Sequence, residues 1–369
     1  MDLVFGNVMA ITWQQMVMWL IGGILIYLAI KKDMEPTLLL PMGFGSILVN
    51  LPLSGAVTQG AEEGVIDVLF GAGIANELFP LLLFIGIGAM IDFGPLLSNP
   101  KLMLFGAAAQ FVIFMTLSLA TLMGFPIKDA ASIAIIGAAD GPTSIFVANY
   151  FNTKYIGAIV VAAYSYMALV PIVQPPVIKL LTTKKERMIR MPYNPKKVSK
   201  LTKILFPIVI TVITGIVSPK SVALIGFLMF GNLIRECGVL NNLSETAQKT
   251  LANLVTILLG ITISTKMQAE AFLNIETLMI IGLGLVAFVF DTAGGVIFAK
   301  FLNLFSKKKI NPMIGAAGIS AFPMSSRVVH KMGLAEDNQN FLLMHSTGVN
   351  VSGQIASVIA GGLILNLIH

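Results

Sequence analysis

Apolar residues run along this chain in stretches of bilayer length, without the strict alternation of a strand or the single stripe of a surface helix. Such stretches fall near 13–30, 37–53, 79–96, 102–124 and 156–178 in the first half, and near 204–217, 221–236, 252–265, 277–299 and 340–367 in the second. About 17–25 apolar residues span a bilayer as a helix, so these segments are predicted transmembrane helices, some of them short. Two other apolar runs are interrupted. The run ASIAIIGAADGPTSIFVA at 131–148 carries Asp140 and a Gly-Pro pair at its centre, and INPMIGAAGISAFPMSS at 310–326 is broken by Gly and Pro and followed by Arg327 and Lys331. Backbone carbonyls freed by Gly and Pro are tolerated at membrane depth only where they are buried in protein or line a cavity. Both runs therefore read as re-entrant hairpins.

Composition agrees with this pattern. At 56% hydrophobic and 11% charged, the 369 residues are too apolar for a soluble domain. The single Cys237 excludes an intrachain disulfide framework, and the start lacks the charged n-region and cleavage site of a removable signal peptide. The net charge of +6 is not a nucleic-acid signal, because the basic residues cluster in short loops: Lys31 and Lys32, then Lys184 to Lys203, then Lys307 to Lys309. The positive-inside rule makes those loops cytoplasmic, and orientation alone accounts for them. The connection at 52–78, with Glu62, Glu63, Asp67 and Glu77, reads as an external loop. Counting crossings from these anchors, the first hairpin enters from outside and the second from inside.

The two halves resemble each other in matching order. IAIIGAAD at 133–140 parallels NPMIGAAG at 311–318, LFIGIGAMI at 83–91 parallels ILLGITIS at 257–264, and PMGFGSIL at 41–48 parallels FLMFGNLI at 227–234. The expected fold is an all-α polytopic membrane protein of two inverted-topology repeats, 1–181 and 204–369, joined by a basic cytoplasmic linker at 182–203. One re-entrant broken hairpin is expected near 131–150 and the other near 310–326. Such repeats place an ion or substrate site near the midplane, at paired discontinuous segments, and suit elevator-like motion of the hairpins against the other helices.

Chemistry concentrates in and behind the hairpins. A carboxylate at membrane depth costs on the order of 2.5–3.5 kcal/mol on insertion scales, which makes Asp140 a functional candidate. Asp140, Thr143, Ser144 and the freed carbonyls are oxygen ligands, the set that hard cations prefer. The helix after the first hairpin carries Tyr164, Ser165, Tyr166 and Gln174, and the one after the second carries His345, Ser346, Asn350, Ser352, Gln354 and Ser357. Ser346, Asn350, Gly353 and Ser357 form one small, polar stripe at helical spacing, which serves either a site or interhelical packing. Asp291, the other acid inside an apolar run, is a second ligand or proton site, or else caps or pairs with a neighbouring helix; Ser352 is a further secondary candidate. Arg235, Glu236 and Asp92 sit at helix ends, where snorkelling is expected to satisfy them. His345 reads as a hydrogen-bonded core residue, and no nucleotide-binding loop or nucleophile elbow is present to support an ATPase or hydrolase.

Taken together, EPTLLLPMGFGSILVNLP at 35–52, ELFPLLLFIGIGAMIDFGPLLSNPK at 77–101, GAADGPTSIFVAN at 137–149, AAYSYMALVPIVQPPVIKLLTTKKERMIRM at 162–191, TAGGVIFAK at 292–300, INPMIGAAGISAFPM at 310–324 and QNFLLMHSTGVNVSGQIAS at 339–357 resemble the beta subunit of the sodium-pumping, biotin-dependent decarboxylases. That family acts in oxaloacetate, methylmalonyl-CoA, glutaconyl-CoA and malonate decarboxylation. The resemblance implies a subunit that receives carboxybiotin, releases CO2 with uptake of a proton, and exports sodium. By the same resemblance Asp140 and Tyr166 are catalytic, and Asp140, Thr143, Asn350 and Ser357 hold sodium. Biotin is then carried by a partner, with a carboxyltransferase subunit, a biotin carrier subunit and a small membrane-anchoring subunit completing the complex. A homotrimer of this chain in a bacterial cytoplasmic (inner) membrane is also implied. The alternative is a stand-alone sodium-coupled transporter of a small anion.

Overall fold

Without water to satisfy backbone amides, a chain in hydrocarbon must close its hydrogen bonds within each segment, and helices do so. A computed structural model describes residues 9–32, 36–58, 62–193 and 197–368, and its regular elements are helical. The first half contains α1 (Trp13–Lys32), α2 (Pro36–Val49), α3 (Val65–Ala75), α4 (Leu78–Met90), α5 (Pro100–Leu122), α6 (Ile127–Ala134), α7 (Gly141–Tyr150) and α8 (Ile156–Leu181). The second contains α9 (Lys200–Val217), α10 (Val222–Glu236), α11 (Asn241–Met267), α12 (Ile275–Phe305), α13 (Met324–Glu336) and α14 (Leu343–Leu367). Among the described residues six helices are long and apolar enough to cross a membrane, or eight if two bent pairs each count as one span. The protein is a polytopic, all-helical membrane protein.

Two departures from the hydropathy pattern have local causes. Part of the acidic connection at 52–78 is helical, with α3 bent by 59° against α4. The stretch at 156–178 is a helix bent by 64° between Ile156–Met167 and Leu169–Leu181. Pro171 lies just past the bend, and proline removes the amide that would bond one turn back.

Glycines let the helices of the two halves touch through their backbones. A Cβ on Gly231 of α10 would lie 2.1 Å from the Ile85 carbonyl of α4, and one on Gly88 of α4 would lie 1.8 Å from the Leu228 carbonyl of α10. Between α2 and α11, a Cβ on Gly45 would fall 2.4 Å from Ser264 Oγ, and one on Gly260 would fall 2.8 Å from the Leu38 carbonyl. Such close approach lets van der Waals contact hold helices where lipid is as apolar as leucine.

The broken hairpins sit inside this frame. The first descends through α6 and a 3-10 turn at Ile135–Ala138, breaks at Ala139 and Asp140, and returns as α7. The second descends as a 3-10 segment, Pro312–Gly318, and returns as α13 to Glu336, ten residues beyond the apolar run that announced it. The returning limb is polar, with Arg327, His330, Lys331 and Glu336, so hydropathy alone ends it early. The tips meet: the Ser320 amide donates to the Ala138 carbonyl at 3.2 Å. α14 runs past both breaks and is the most enclosed of the six long apolar helices, with 83% of an 18-residue stretch buried, against 11% for α9.

Several charged residues have specific partners inside the chain, in addition to the helix-end placement expected of them. Lys203 bridges Asp92 at 3.2 Å and Glu236 at 3.5 Å, and Arg235 donates to the carbonyls of Ala89 and Met90. The linker is clamped to the two ends of the second hairpin. Arg187 pairs with Glu336 and Arg190 with Asp337, both at 2.6 Å, while Asn311 and Asn340 donate to the Arg187 carbonyl.

Candidate functional site

Asp140 is positioned by local sequence. Ala139 turns the chain through the left-handed region, φ 48°, after which Asp140 caps α7 by accepting the Thr143 amide on Oδ1 at 3.1 Å. Pro142 stands in the first turn, where its missing amide costs nothing. The Ser144 hydroxyl donates to the Asp140 carbonyl at 2.8 Å. Opposite this cap, α14 presents Asn350, Gln354 and Ser357 at i, i+4 and i+7. Ser357 Oγ donates to Asp140 Oδ2 at 2.6 Å and Gln354 Nε2 to the same oxygen at 3.0 Å. Asp140 is 2% exposed, and the Ser357 hydroxyl, the Gln354 amide and the Thr143 backbone amide all donate to its carboxyl oxygens.

The same helix holds the second break. Asn350 Nδ2 donates to the Ile319 carbonyl at 2.6 Å, Ser320 Oγ donates to the Gly353 carbonyl at 3.1 Å, and a Cβ on Gly353 would stand 2.0 Å from the Gly318 carbonyl. Among the described residues two fully buried oxygens here, Thr143 Oγ1 beside the Asp140 carboxyl and Asn350 Oδ1, make no hydrogen bond of good geometry. They are available to a cation in a way that committed hydroxyls are not.

The structure thus joins Asp140 to Ser357 directly, gives Thr143 a backbone bond to the same carboxylate, and ties Asn350 to the other hairpin. Tyr166 lies elsewhere on its helix: its hydroxyl donates to the Ile281 carbonyl of α12 and its ring stacks on Phe288 with centroids 6.3 Å apart. Tyr164 is the tyrosine against the first break, since a Cβ on Gly141 would fall 2.3 Å from its ring. Ser352 turns to α5, donating to the Leu102 carbonyl and accepting the Gly106 amide. Asp291 is buried on α12. His345 is hydrogen-bonded as expected, through Nε2 to the Met191 carbonyl. The sequence reading passed over Gln354 and Ser320 as site residues. Gln354 was legible, since it completes the i, i+4, i+7 series of Asn350 and Ser357; Ser320 acquires its place only from the meeting of the tips.

Broken helices that converge on a buried carboxylate are an arrangement used by membrane proteins of the ion-transport class. Over residues 14–368 the chain matches the family described as the Na+-transporting oxaloacetate decarboxylase beta subunit, and it belongs to that family. It is 50% identical to the glutaconyl-CoA decarboxylase subunit beta of Acidaminococcus fermentans, over 97% of this chain and 94% of that one. It is 47% identical to the methylmalonyl-CoA decarboxylase subunit beta of Propionigenium modestum, with 95% and 94% covered. The oxaloacetate decarboxylase beta chain of Klebsiella pneumoniae is 43% identical, with 96% and 95% covered. The chain is accordingly a membrane-spanning beta subunit of a sodium-transporting decarboxylase, one component of a multi-subunit complex.

Proposed function

We propose that this chain releases CO2 from carboxybiotin, delivered on a partner carrier, and couples that release and the uptake of a proton to export of sodium. The observation that carries the reading is the bond from Ser357 and Gln354, in the second half, to Asp140 in the first hairpin, in a chain of this family. Sodium is the cargo. Asp140, Thr143, Asn350 and Ser357 offer it one carboxylate, two hydroxyls and an amide oxygen, and among the described residues Asn350 Oδ1 accepts no hydrogen bond. Asp140 accepts either sodium or a proton, and burial brings those two states close in free energy. Tyr166 supplies the proton to the ring nitrogen, for which its bond to Ile281 must open. Removing water from carboxybiotin in a closed site favours loss of CO2.

The alternating-access reading draws on a reciprocal packing of matched segments. Gly45 and Gly231 occupy equivalent positions in 41–48 and 227–234, as do Gly86 and Gly260 in 83–91 and 257–264. Gly45 and Gly260 lie in the α2–α11 contact and Gly231 in the α4–α10 contact, while Gly86 faces Ala247 and Ala252 of α11, so the matched helices pair alike and one of the four glycines departs from the pattern. Gly137 approaches Thr116 and Val112 of α5, the helix preceding the first hairpin; its counterpart Gly315 approaches Gly295 of α12, the helix preceding the second. Two inverted repeats, 1–181 and 204–369, related in this way would move the hairpins as one body in an elevator-like cycle. The linker at 182–203 is then cytoplasmic, the membrane the bacterial inner membrane, and the partners a carboxyltransferase, a biotin carrier and a small anchoring subunit around a trimer of this chain.

The test adds free carboxybiotin to the purified chain and measures CO2 with and without sodium. Sodium-stimulated release is expected. A folded preparation with none would favour an anion transporter, a reading that no relative described above supports by name.

A further inference from the structure

A cavity of about 400 Å3 opens at the start of α14, at the end that the proposed topology places in the cytoplasm. Small-molecule sites fall in the range of roughly 300–1,000 Å3. The cavity lies between the 95–102 segment that leads into α5, the linker at Pro192 and Tyr193, and Met344 and His345 in the first turn of α14. Packing fixes it on two sides. His345 is bonded through Nε2 to the Met191 carbonyl at 3.2 Å and meets the Tyr193 ring edge-on, with centroids 5.5 Å apart. Ser352 donates to the Leu102 carbonyl at 3.0 Å, and a Cβ on Gly348 would lie 2.6 Å from the Leu102 side chain and 3.5 Å from Pro95. The wall formed by Pro95 and Leu102 thus rests on α14 at Gly348, and Asn350 follows about 3 Å of helical rise further on.

The lining is apolar on most sides and polar on one. Pro95, Leu102, Pro192, Met344 and the Tyr193 ring supply apolar walls, while Ser98, Asn99 and Lys101 come together from a single turn. The Ser98 hydroxyl donates to the Pro95 carbonyl at 3.0 Å, which leaves its oxygen free to accept. Among the described residues Lys101 has no acidic partner within ion-pair distance, so its charge is uncommitted. A free ammonium beside an amide, a hydroxyl acceptor and apolar walls suits a compact apolar ring that carries both a carboxylate and an N–H. N-carboxylated biotin has that form: one ring nitrogen bears the carboxylate, the other keeps its hydrogen, and the fused thioether ring is apolar. We propose that this cavity is the entry port for carboxybiotin, with Lys101 and Asn99 on the N-carboxylate, Ser98 Oγ on the remaining N–H and Tyr193 against the thioether ring.

Such a port rests on the function proposed above and adds to it the place where the substrate is first held. No bond changes there. The carboxylated ring waits at the end of the helix that carries Asn350, Gln354 and Ser357, and the chemistry stays with the site at Asp140.

The first arm of the test reads binding without turnover. Met344→Cys in a Cys237→Ser chain is alkylated in sodium-free buffer, alone, with carboxybiotin and with biotin, which differs only in lacking the N-carboxylate. Carboxybiotin should slow the alkylation severalfold and biotin much less, and adding Lys101→Gln should erase the difference between the two. No protection by carboxybiotin, or equal protection by biotin, would overturn the port. The second arm keeps Met344 and Cys237 and measures sodium-stimulated CO2 release from free carboxybiotin. Lys101→Gln should raise half-saturating carboxybiotin about tenfold, the scale of one lost hydrogen bond to a charged group, without moving half-saturating sodium, and Lys101→Arg should restore it. An unmoved carboxybiotin requirement, or a sodium requirement raised in its place, would also overturn the port. Protection by carboxybiotin in a protein whose unaltered chain shows no sodium-stimulated release would support the port and sink the parent function instead.

Discussion

Ser357 donates its hydroxyl to Oδ2 of Asp140 at 2.6 Å, although 217 positions separate them. The bond ties the broken tip of the first hairpin to the helix behind the second, and Gln354 repeats it one turn away. The Asp140 carboxyl is therefore held by both halves of the chain at once.

Asp140→Asn removes the charge at nearly constant shape, and Ser357 and Gln354 can still bond to the amide oxygen. Sodium-dependent CO2 release should be abolished while the complex still assembles. Retained sodium-dependent turnover would reduce Asp140 to a satisfied structural acid.

Asn350→Ala and Ser357→Ala should each raise the sodium concentration for half-maximal decarboxylation about tenfold or more, the scale of one lost charge-assisted contact of roughly 1.5–3 kcal/mol. Combined, they should cost less than the sum, since a site broken once has less to lose. An unchanged requirement in Asn350→Ala would confine Asn350 to holding the Ile319 carbonyl.

Gly231→Ala drives a methyl to 2.1 Å from the Ile85 carbonyl, so α4 and α10 must separate. Overpacking of this kind costs about 1–3 kcal/mol, and melting in detergent should fall accordingly. Gly23→Ala on α1 meets nothing within 4 Å and serves as the neutral control. Equal melting of the two variants would refute the backbone contact.

The linker clamp carries a pH signature. Hydrogen bonding from Arg190 holds the Asp337 carboxyl below the usual aspartate range. A depressed value means the contribution is complete above the unfolded value of about 3.9 and fades as pH falls through the folded one. Amide-exchange protection across 187–191, corrected for intrinsic rates, should be flat from neutral pH down to about 4 and then drop. Asp337→Asn should lower it at neutral pH; unaltered protection there would show that Arg187 and the asparagines suffice.

Topology is checked in a Cys237→Ser background. Lys308→Cys should react with an impermeant reagent only from the cytoplasmic side and Thr58→Cys only from outside. Labelling of position 308 in intact cells would reverse the assignment.

The linear order of residues determined most of the secondary architecture. Bilayer-length apolar runs specify spans because hydrocarbon penalises every exposed amide, and Asp-Gly-Pro in such a run can only be a break. The acid, the polar stripe of α14 and the family were all legible for the same reason: membrane composition leaves few polar residues, so each one stands out. What stayed hidden depends on distance across the fold. That Gln354 reaches Asp140 while Asn350 reaches Ile319, that Tyr164 and not Tyr166 lies against Gly141, and that Lys203, Arg187 and Arg190 find partners more than a hundred residues away are outcomes of helix rotation and close glycine packing. Periodicity gives a face to each helix, but only the packed tertiary structure decides what that face meets.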